Sequence, residues 1–177
     1  MADVPPLAAL PARPQRVILH WTGGGPRASA FECEHYHYLV QQDLVVVRGM
    51  QVALNMRACG TGVDYAAHTR GFNSYSVGVS FCGMLGAVQG GSMGKHPLTE
   101  PQVEAGCAFI AKLCREWGLA PTVDQVFTHA EAQRVHGRPQ QWKWDIDVLP
   151  WRQATPEENG RYLRERIAAH MPEVVAA

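Results

Sequence analysis

Residues Arg16–Trp21 read RVILHW and residues Ser76–Cys82 read SVGVSFC. Each is a short run of β-branched and small residues with Gly close behind it, the pattern of a strand buried on both faces of a sheet. Working outward, Tyr36–Val40 and Leu44–Arg48 flank Gln41, Gln42 and Asp43 and predict a hairpin, and a helical turn is expected over Ala28–Glu34. Gln125–His129 predicts a further short strand, and Ala130–Trp142 reads as an irregular loop. Two helices carry start signals. Thr99 with Gln102 forms a capping box with Pro101 in the first turn, and Val103, Cys107, Ile110, Cys114 and Trp117 then recur on one helical face before Gly118. Thr155 with Glu158 opens the second, with Pro156 at its first position and Leu163, Ile167 and Met171 as its buried face. Strands alternating with helices predict an α/β fold: a single domain over 16–177 with a mixed central β-sheet flanked by helices. Residues 1–15, rich in Pro and Ala, form an N-terminal arm, flexible or draped.

Composition narrows the classes. A chain of 177 residues fits one domain. It buries about 70% of its unfolded surface, enough for a core without disulfide staples. With 46% hydrophobic and 18% charged residues it is globular rather than disordered. Sixteen basic residues against sixteen acidic ones leave no electrostatic footprint for nucleic acid or an anionic membrane, and neither is an expected partner. No run approaches the roughly 18 apolar residues of a membrane span. The N-terminal MADVPPLAALPARPQR has no basic segment followed by an apolar stretch, so no secretory signal is expected and synthesis is cytoplasmic. The five Cys are odd in number and contain no CxxC pair, which argues against a disulfide framework and a cysteine-built zinc finger.

The eight His are where chemistry is concentrated. His20 and His129 fall at the ends of predicted strands, where an α/β sheet opens into its ligand crevice. Asp145, in WKWDID, follows within a loop's reach. Two imidazoles and one carboxylate suit a catalytic zinc with a fourth position open, whereas hydrogen-bonded strand-end histidines are the competing reading, and no HExxH decides between them. Trp142, Trp144 and Trp151 surround that loop, either clamping it or walling a groove. His35 and His37 alternate about Tyr36, His96 and His136 lie in loops, and His170 is expected to be solvated near a helix end.

ILHWT, HYHYLV, YAAHTRGFNSYSVGVSFCG, FTHAE and KWDID, in that order, resemble the zinc N-acetylmuramoyl-L-alanine amidases of the type-2 amidase family, which includes phage lysozymes with amidase activity and the peptidoglycan recognition proteins. The resemblance runs from about residue 16 to about residue 151, and the segment around His68, with Arg70, Gly71, Asn73, Ser76 and Gly78, is its most specific part. It implies an amidase/PGRP-like fold and zinc ligands at His20, His129 and Asp145. It further implies a catalytic Lys143, a Tyr36 beside the metal and a His68 lining the substrate groove. Recycling members carry Glu in the central strand where this chain has Ser80, so the resemblance is to the phage-type Tyr/Lys branch.

The expected activity is therefore hydrolysis of the amide between N-acetylmuramic acid and L-alanine in bacterial peptidoglycan, by a monomeric endolysin that reaches the wall from the host cytoplasm. The alternatives are a cytosolic muropeptide-recycling amidase and a non-catalytic peptidoglycan-binding module.

Overall fold

The two opening stretches become the centre of one sheet. The computed structural model describes residues 2–171; Met1 of the expected arm and the last six residues of the expected domain lie outside the described residues. The strands are β1 (Arg16–Trp21), β2 (Tyr38–Val40), β3 (Val46–Arg48), β4 (Ser76–Phe81) and β5 (Val126–Thr128), in the order β3-β2-β4-β1-β5. β1 runs parallel to β4 and β5, β2 runs parallel to β4, and β3 closes the expected hairpin antiparallel to β2. The sheet is mixed and flanked by helices, as the pattern predicts: α1 (Ala30–Cys33), α2 (Glu100–Trp117), α3 (His129–Arg134) and α4 (Pro156–Ala169).

Alternation along the strands divides the sheet into two unlike faces. Val17, Leu19 and Trp21 of β1 and Val77, Val79 and Phe81 of β4 join Ile110, Trp117, Leu163 and Ile167 of α2 and α4 in one apolar cluster. Burying each such side chain contributes about 1.5–3 kcal/mol. The residues between them, Ile18 and His20 on β1 and Gly78 and Ser80 on β4, belong to the other face. There the apolar cluster is small, Ile18 and Phe127 with Ala132, and much of what remains buried is polar.

Every α-helix opens on a reciprocal capping box: Ser29/Glu32, Thr99/Gln102, Thr128/Glu131 and Thr155/Glu158. α2 ends at Gly118, whose φ of 63° is the left-handed conformation a Cβ resists. Three expectations are corrected. His129 opens helix α3 rather than ending a strand, and Ala130–Arg134 continue that helix rather than forming loop, because the Thr128/Glu131 box stabilises one short helix even though no apolar stripe follows. Met171 lies beyond the end of α4, half-buried against the core. His170 is not simply solvated: its Nε2 lies 2.7 Å from Glu104 Oε1, which also holds Arg166.

The arm is draped. Trp117 Nε1 donates to Pro5 O at 3.0 Å, Arg48 Nη2 to Asp3 O at 2.7 Å, and Arg13 Nη2 to Gly118 O at 2.6 Å. The five cysteines are free thiols. Burial pushes Cys82, Cys107 and Cys114 up to about 12, so none is a thiolate nucleophile. No helix among the described residues is long and apolar enough to cross a membrane.

Candidate metal centre

Three elements deliver three donor groups to one end of the polar face. His20 is the penultimate residue of β1, paired in register with Ser80 of β4. His129 is the first residue of α3 and takes its direction from the capping box before it. Thr128 N donates to Glu131 Oε2 at 2.9 Å, and Glu131 N donates back to Thr128 Oγ1 at 3.2 Å. Arg164 of α4 grips the same Glu131 through both carboxylate oxygens, at 2.8 and 3.0 Å. The Glu of FTHAE thus orients His129 and has no part in the centre itself. Asp145 is held from behind, where Ala130 N donates to its carbonyl at 2.8 Å. Two residues on, Asp147 pairs with Arg134 at 2.7 Å and its carbonyl accepts from Asn159 Nδ2 at 2.9 Å.

The donor atoms form a nearly equilateral triangle. His20 Nδ1 is 3.0 Å from His129 Nδ1 and 3.1 Å from Asp145 Oδ2, and His129 Nδ1 is 3.2 Å from that same oxygen. Hydrogen bonds cannot satisfy all three sides. A neutral imidazole brings at most one proton to its Nδ1, a carboxylate brings none, and each proton points at one acceptor. One side is therefore always lone pair against lone pair or N–H against N–H. A cation facing all three lone pairs resolves the conflict. Donors at the usual tetrahedral zinc distances of about 2.0–2.1 Å stand about 3.3 Å apart, close to the triangle observed. His20, His129 and Asp145 are the group of metal-ligating side chains found among the described residues, and they fit the ion.

Electrostatics prepare the same donors. Burial lowers the His20 pKa to about 4, against an opposing hydrogen bond with Asp145, so the ring is neutral at ordinary pH. For Asp145 burial favours the protonated acid, but the hydrogen bonds with His129 and His20 outweigh it and hold the carboxyl well below its usual range. One anionic oxygen and the neutral ring of His20 are thus available.

The triangle opens into a cleft of about 270 Å³ lined by Tyr36, His129, Gln141, Trp142, Lys143 and Asp145, among others. The Tyr36 ring centroid lies 5.1 Å from that of His20. Burial, reinforced by the Asp145 charge, raises the Tyr36 pKa well above its usual value. Lys143 is exposed, makes no ion pair among the described residues, and also borders a second hollow of about 410 Å³. The tryptophans divide. Trp144 packs edge-on against Trp21 with centroids 4.6 Å apart, and Trp151 is packed against the core, whereas Trp142 stands 93% exposed at the rim on a backbone with φ of 66°.

His68, like His20, is not among the residues that border this cleft. It is 5% exposed and sits behind His20, with its Nδ1 3.3 Å from His20 Nε2, because its ring lies over Gly78, the one position of β4 without a side chain to displace it. Thr69, unremarked by sequence reasoning, completes that contact: its Oγ1 is 3.2 Å from His20 Nε2 and 2.9 Å from His68 Nδ1. The neighbouring motif is scaffolding for this pair. Asn73 Oδ1 accepts from Thr69 N at 2.8 Å, and Asn55 Nδ2 donates to Asn73 O at 2.9 Å. His37 is wholly buried and accepts from Gly78 N at 2.9 Å, while His35 turns back to Phe31 O. Gln140, a buried residue of the loop before Lys143, approaches His129 from the far side; no periodicity or motif marks it.

Several solved structures are similar to this chain. An endolysin of the Thermus scotoductus bacteriophage Ph2119 is 20% identical over 76% of this chain and 82% of its own, with a TM-score of 0.49. The N-acetylmuramoyl-L-alanine amidase LysC of Clostridium intestinale is 14% identical over 73% and 80%, with a TM-score of 0.46. The peptidoglycan recognition protein ectodomains LCa and LCx, solved with tracheal cytotoxin, give 21% over 73% and 80%, with a TM-score of 0.46. No curated protein matches the chain. The sequence profile of the N-acetylmuramoyl-L-alanine amidases matches residues 10–145, well over half of the chain and all three donor residues, and the chain belongs to that family.

Proposed function

We propose that this protein is a zinc-dependent peptidoglycan amidase that hydrolyses the bond between N-acetylmuramic acid and the L-alanine of the stem peptide. The observation that carries the reading is the triangle of His20 Nδ1, His129 Nδ1 and Asp145 Oδ2 at 3.0–3.2 Å, opening into a cleft that also holds Lys143 and Tyr36. A family member that only binds wall fragments has no need of a complete donor set.

Zinc held by His20, His129 and Asp145 supplies Lewis acidity toward water and toward the scissile carbonyl. The protein's own groups do the rest. Asp145 stays ionised and His20 neutral, so the donors keep their lone pairs directed inward. Lys143 brings an ammonium to the cleft mouth, where it stabilises the negative charge that develops on the carbonyl oxygen as the amide becomes tetrahedral. Tyr36, with its pKa raised, meets the reacting groups as a hydrogen-bond donor rather than as a base, orienting water or the carbonyl. The exposed Trp142 walls the cleft for a saccharide or peptide.

Ser80 supports the phage-type branch over the recycling branch. It faces His20 across the β1–β4 register, wholly buried, with an Oγ that makes no hydrogen bond, where recycling members place a carboxylate. The expected role is that of an endolysin acting on intact wall. Mass spectrometry of digested peptidoglycan tests the reading: glycan strands without new reducing ends and stem peptides with free L-alanine amino termini are expected. New reducing ends without such peptides would reject it.

A further inference from the structure

Gln140 is 3% exposed and spans the gap between two loops beside the cleft. Its side-chain Nε2 donates to Arg70 O at 2.9 Å and to Arg138 O at 3.1 Å, and its backbone N donates to Gln133 Oε1 at 2.9 Å. Its Oε1 lies 3.0 Å from His129 Nε2. The two carbonyls settle which way the amide faces, because only the NH₂ end can meet two acceptors, and the reversed amide would set oxygen against oxygen twice. The oxygen therefore faces His129, and the contact is a hydrogen bond only if His129 carries its proton on Nε2. That leaves the lone pair on Nδ1, the nitrogen in the donor triangle.

From this geometry we infer that Gln140 is a positioning residue for the metal centre: it holds the His129 ring in the orientation and tautomer in which Nδ1 is free to ligate. The inference rests on the zinc reading above and deepens it. His129 projects from the first turn of a short helix, and among its ring contacts Gln140 is the one that meets the far nitrogen. Thr69 and His68 face the corresponding nitrogen of His20, so both imidazoles are braced from outside the triangle. Bracing of this kind raises ligand basicity and removes an ordering cost from metal binding; losing it typically weakens metal affinity by about 10–100-fold.

The test uses the full chain loaded with zinc, Gln140→Met and Gln140→Glu variants, zinc affinity by chelator competition, and nitrogen NMR of the His129 ring. Methionine keeps the volume and loses the acceptor; glutamate keeps the acceptor toward His129, and both give up the donations to Arg70 O and Arg138 O. Wild type is expected to show Nε2–H and Nδ1 ligation. Gln140→Met should lose about 10–100-fold in zinc affinity with His129 Nε2–H no longer dominant, whereas Gln140→Glu, which still offers His129 an acceptor, should keep Nε2–H dominant and lose less affinity than Gln140→Met. Zinc affinity within twofold of wild type in Gln140→Met, or equal losses in both variants with an unchanged ring signature, would overturn the inference. Should Gln140→Met fail to fold, Gln140→Glu decides: retained Nε2–H supports the assignment, and Nδ1–H overturns it. A wild-type chain that takes up no zinc would instead defeat the zinc reading, with the ring signature still judging Gln140.

Discussion

The two faces of this sheet answer to different demands. Under α2 and α4, Val17, Leu19, Val77, Val79 and Phe81 are buried in one apolar cluster with few polar groups to satisfy. Trp117 Nε1 donates to Pro5 O, Gln102 Nε2 donates to Val40 O and Cys82 O, and Trp151 Nε1 at its edge has no partner. On the other face His20, His37, His68 and Ser80 are just as deeply buried, and His37 Nε2, His68 Nε2 and Ser80 Oγ have no hydrogen-bond partner in the protein. Burying a polar group without a partner costs about 1–3 kcal/mol. The first face therefore carries the stability, and the second uses part of it to keep neutral imidazoles and one carboxylate converged. Substitutions on the first face should change stability alone, while substitutions on the second should change metal binding or turnover as well.

The largest expected effect is on the donor triangle. Asp145→Ala removes its single negative charge, and turnover should fall by on the order of a thousandfold or more, since zinc contributes several kcal/mol to such reactions. Elemental analysis should show the zinc lost along with the activity. Full zinc in the variant would take Asp145 out of the ligand set.

Lys143→Ala comes next and separates binding from catalysis. The side chain is exposed, so the fold should be unaffected, and the three donors are intact, so zinc should stay bound. Turnover should drop by about a hundredfold, mainly in kcat, because the ammonium is needed most when the oxyanion forms. Near wild-type kcat would leave zinc and Tyr36 to account for the chemistry.

Each face also has a glycine that admits an aromatic ring. A Cβ on Gly106 of α2 would meet the Phe81 ring on the apolar side, and a Cβ on Gly78 would come within 2.7 Å of the His68 ring on the polar side. Gly106→Ala and Gly78→Ala should each destabilise by about 1–3 kcal/mol through overpacking, seen as a lower denaturant midpoint. Only Gly78→Ala should also weaken zinc binding, because displacing His68 disturbs the contact behind His20. Equal zinc affinity in the two variants would mean that the faces are not divided in this way.

The same division governs what could be read from the sequence. β1 spans the residues expected of it, and α2 follows its apolar stripe to Gly118, because burial against a second layer writes a period into the chain. The polar face writes none. Its donors are 109 and 16 residues apart in sequence and were legible only as parts of ordered motifs. α3 was missed although Thr128 and Glu131 stood in capping register, because no apolar run followed them. Spacing also says nothing of depth, so the contact that sets His68 behind His20 could not be read from it. Thr69 and Gln140 are single polar residues in loops whose roles exist only once the chain has folded.

The last difference between the faces is sensitivity to acid. Burial, the dominant cause, lowers the pKa of His37 to about 4 from the ordinary 6.5, and His37 is not one of the donors. Above pH 6.5 the ring is neutral both folded and unfolded, and its contribution to stability does not depend on pH. As the pH falls below 6.5 the unfolded chain takes up a proton that the folded protein refuses, so stability declines down to about pH 4, where the folded ring protonates too. By pH 5.5 this one group accounts for a loss of about 1.4 kcal/mol. Denaturant unfolding of wild type and His37→Gln between pH 7.5 and pH 5 measures it. Glutamine does not titrate, so the variant's stability should fall less steeply with acid, by up to about one proton's worth of slope, whatever its stability at neutral pH. Parallel pH profiles would show that His37 titrates alike in both states, and that the acid sensitivity of the polar face comes from its other buried histidines, His20 and His68.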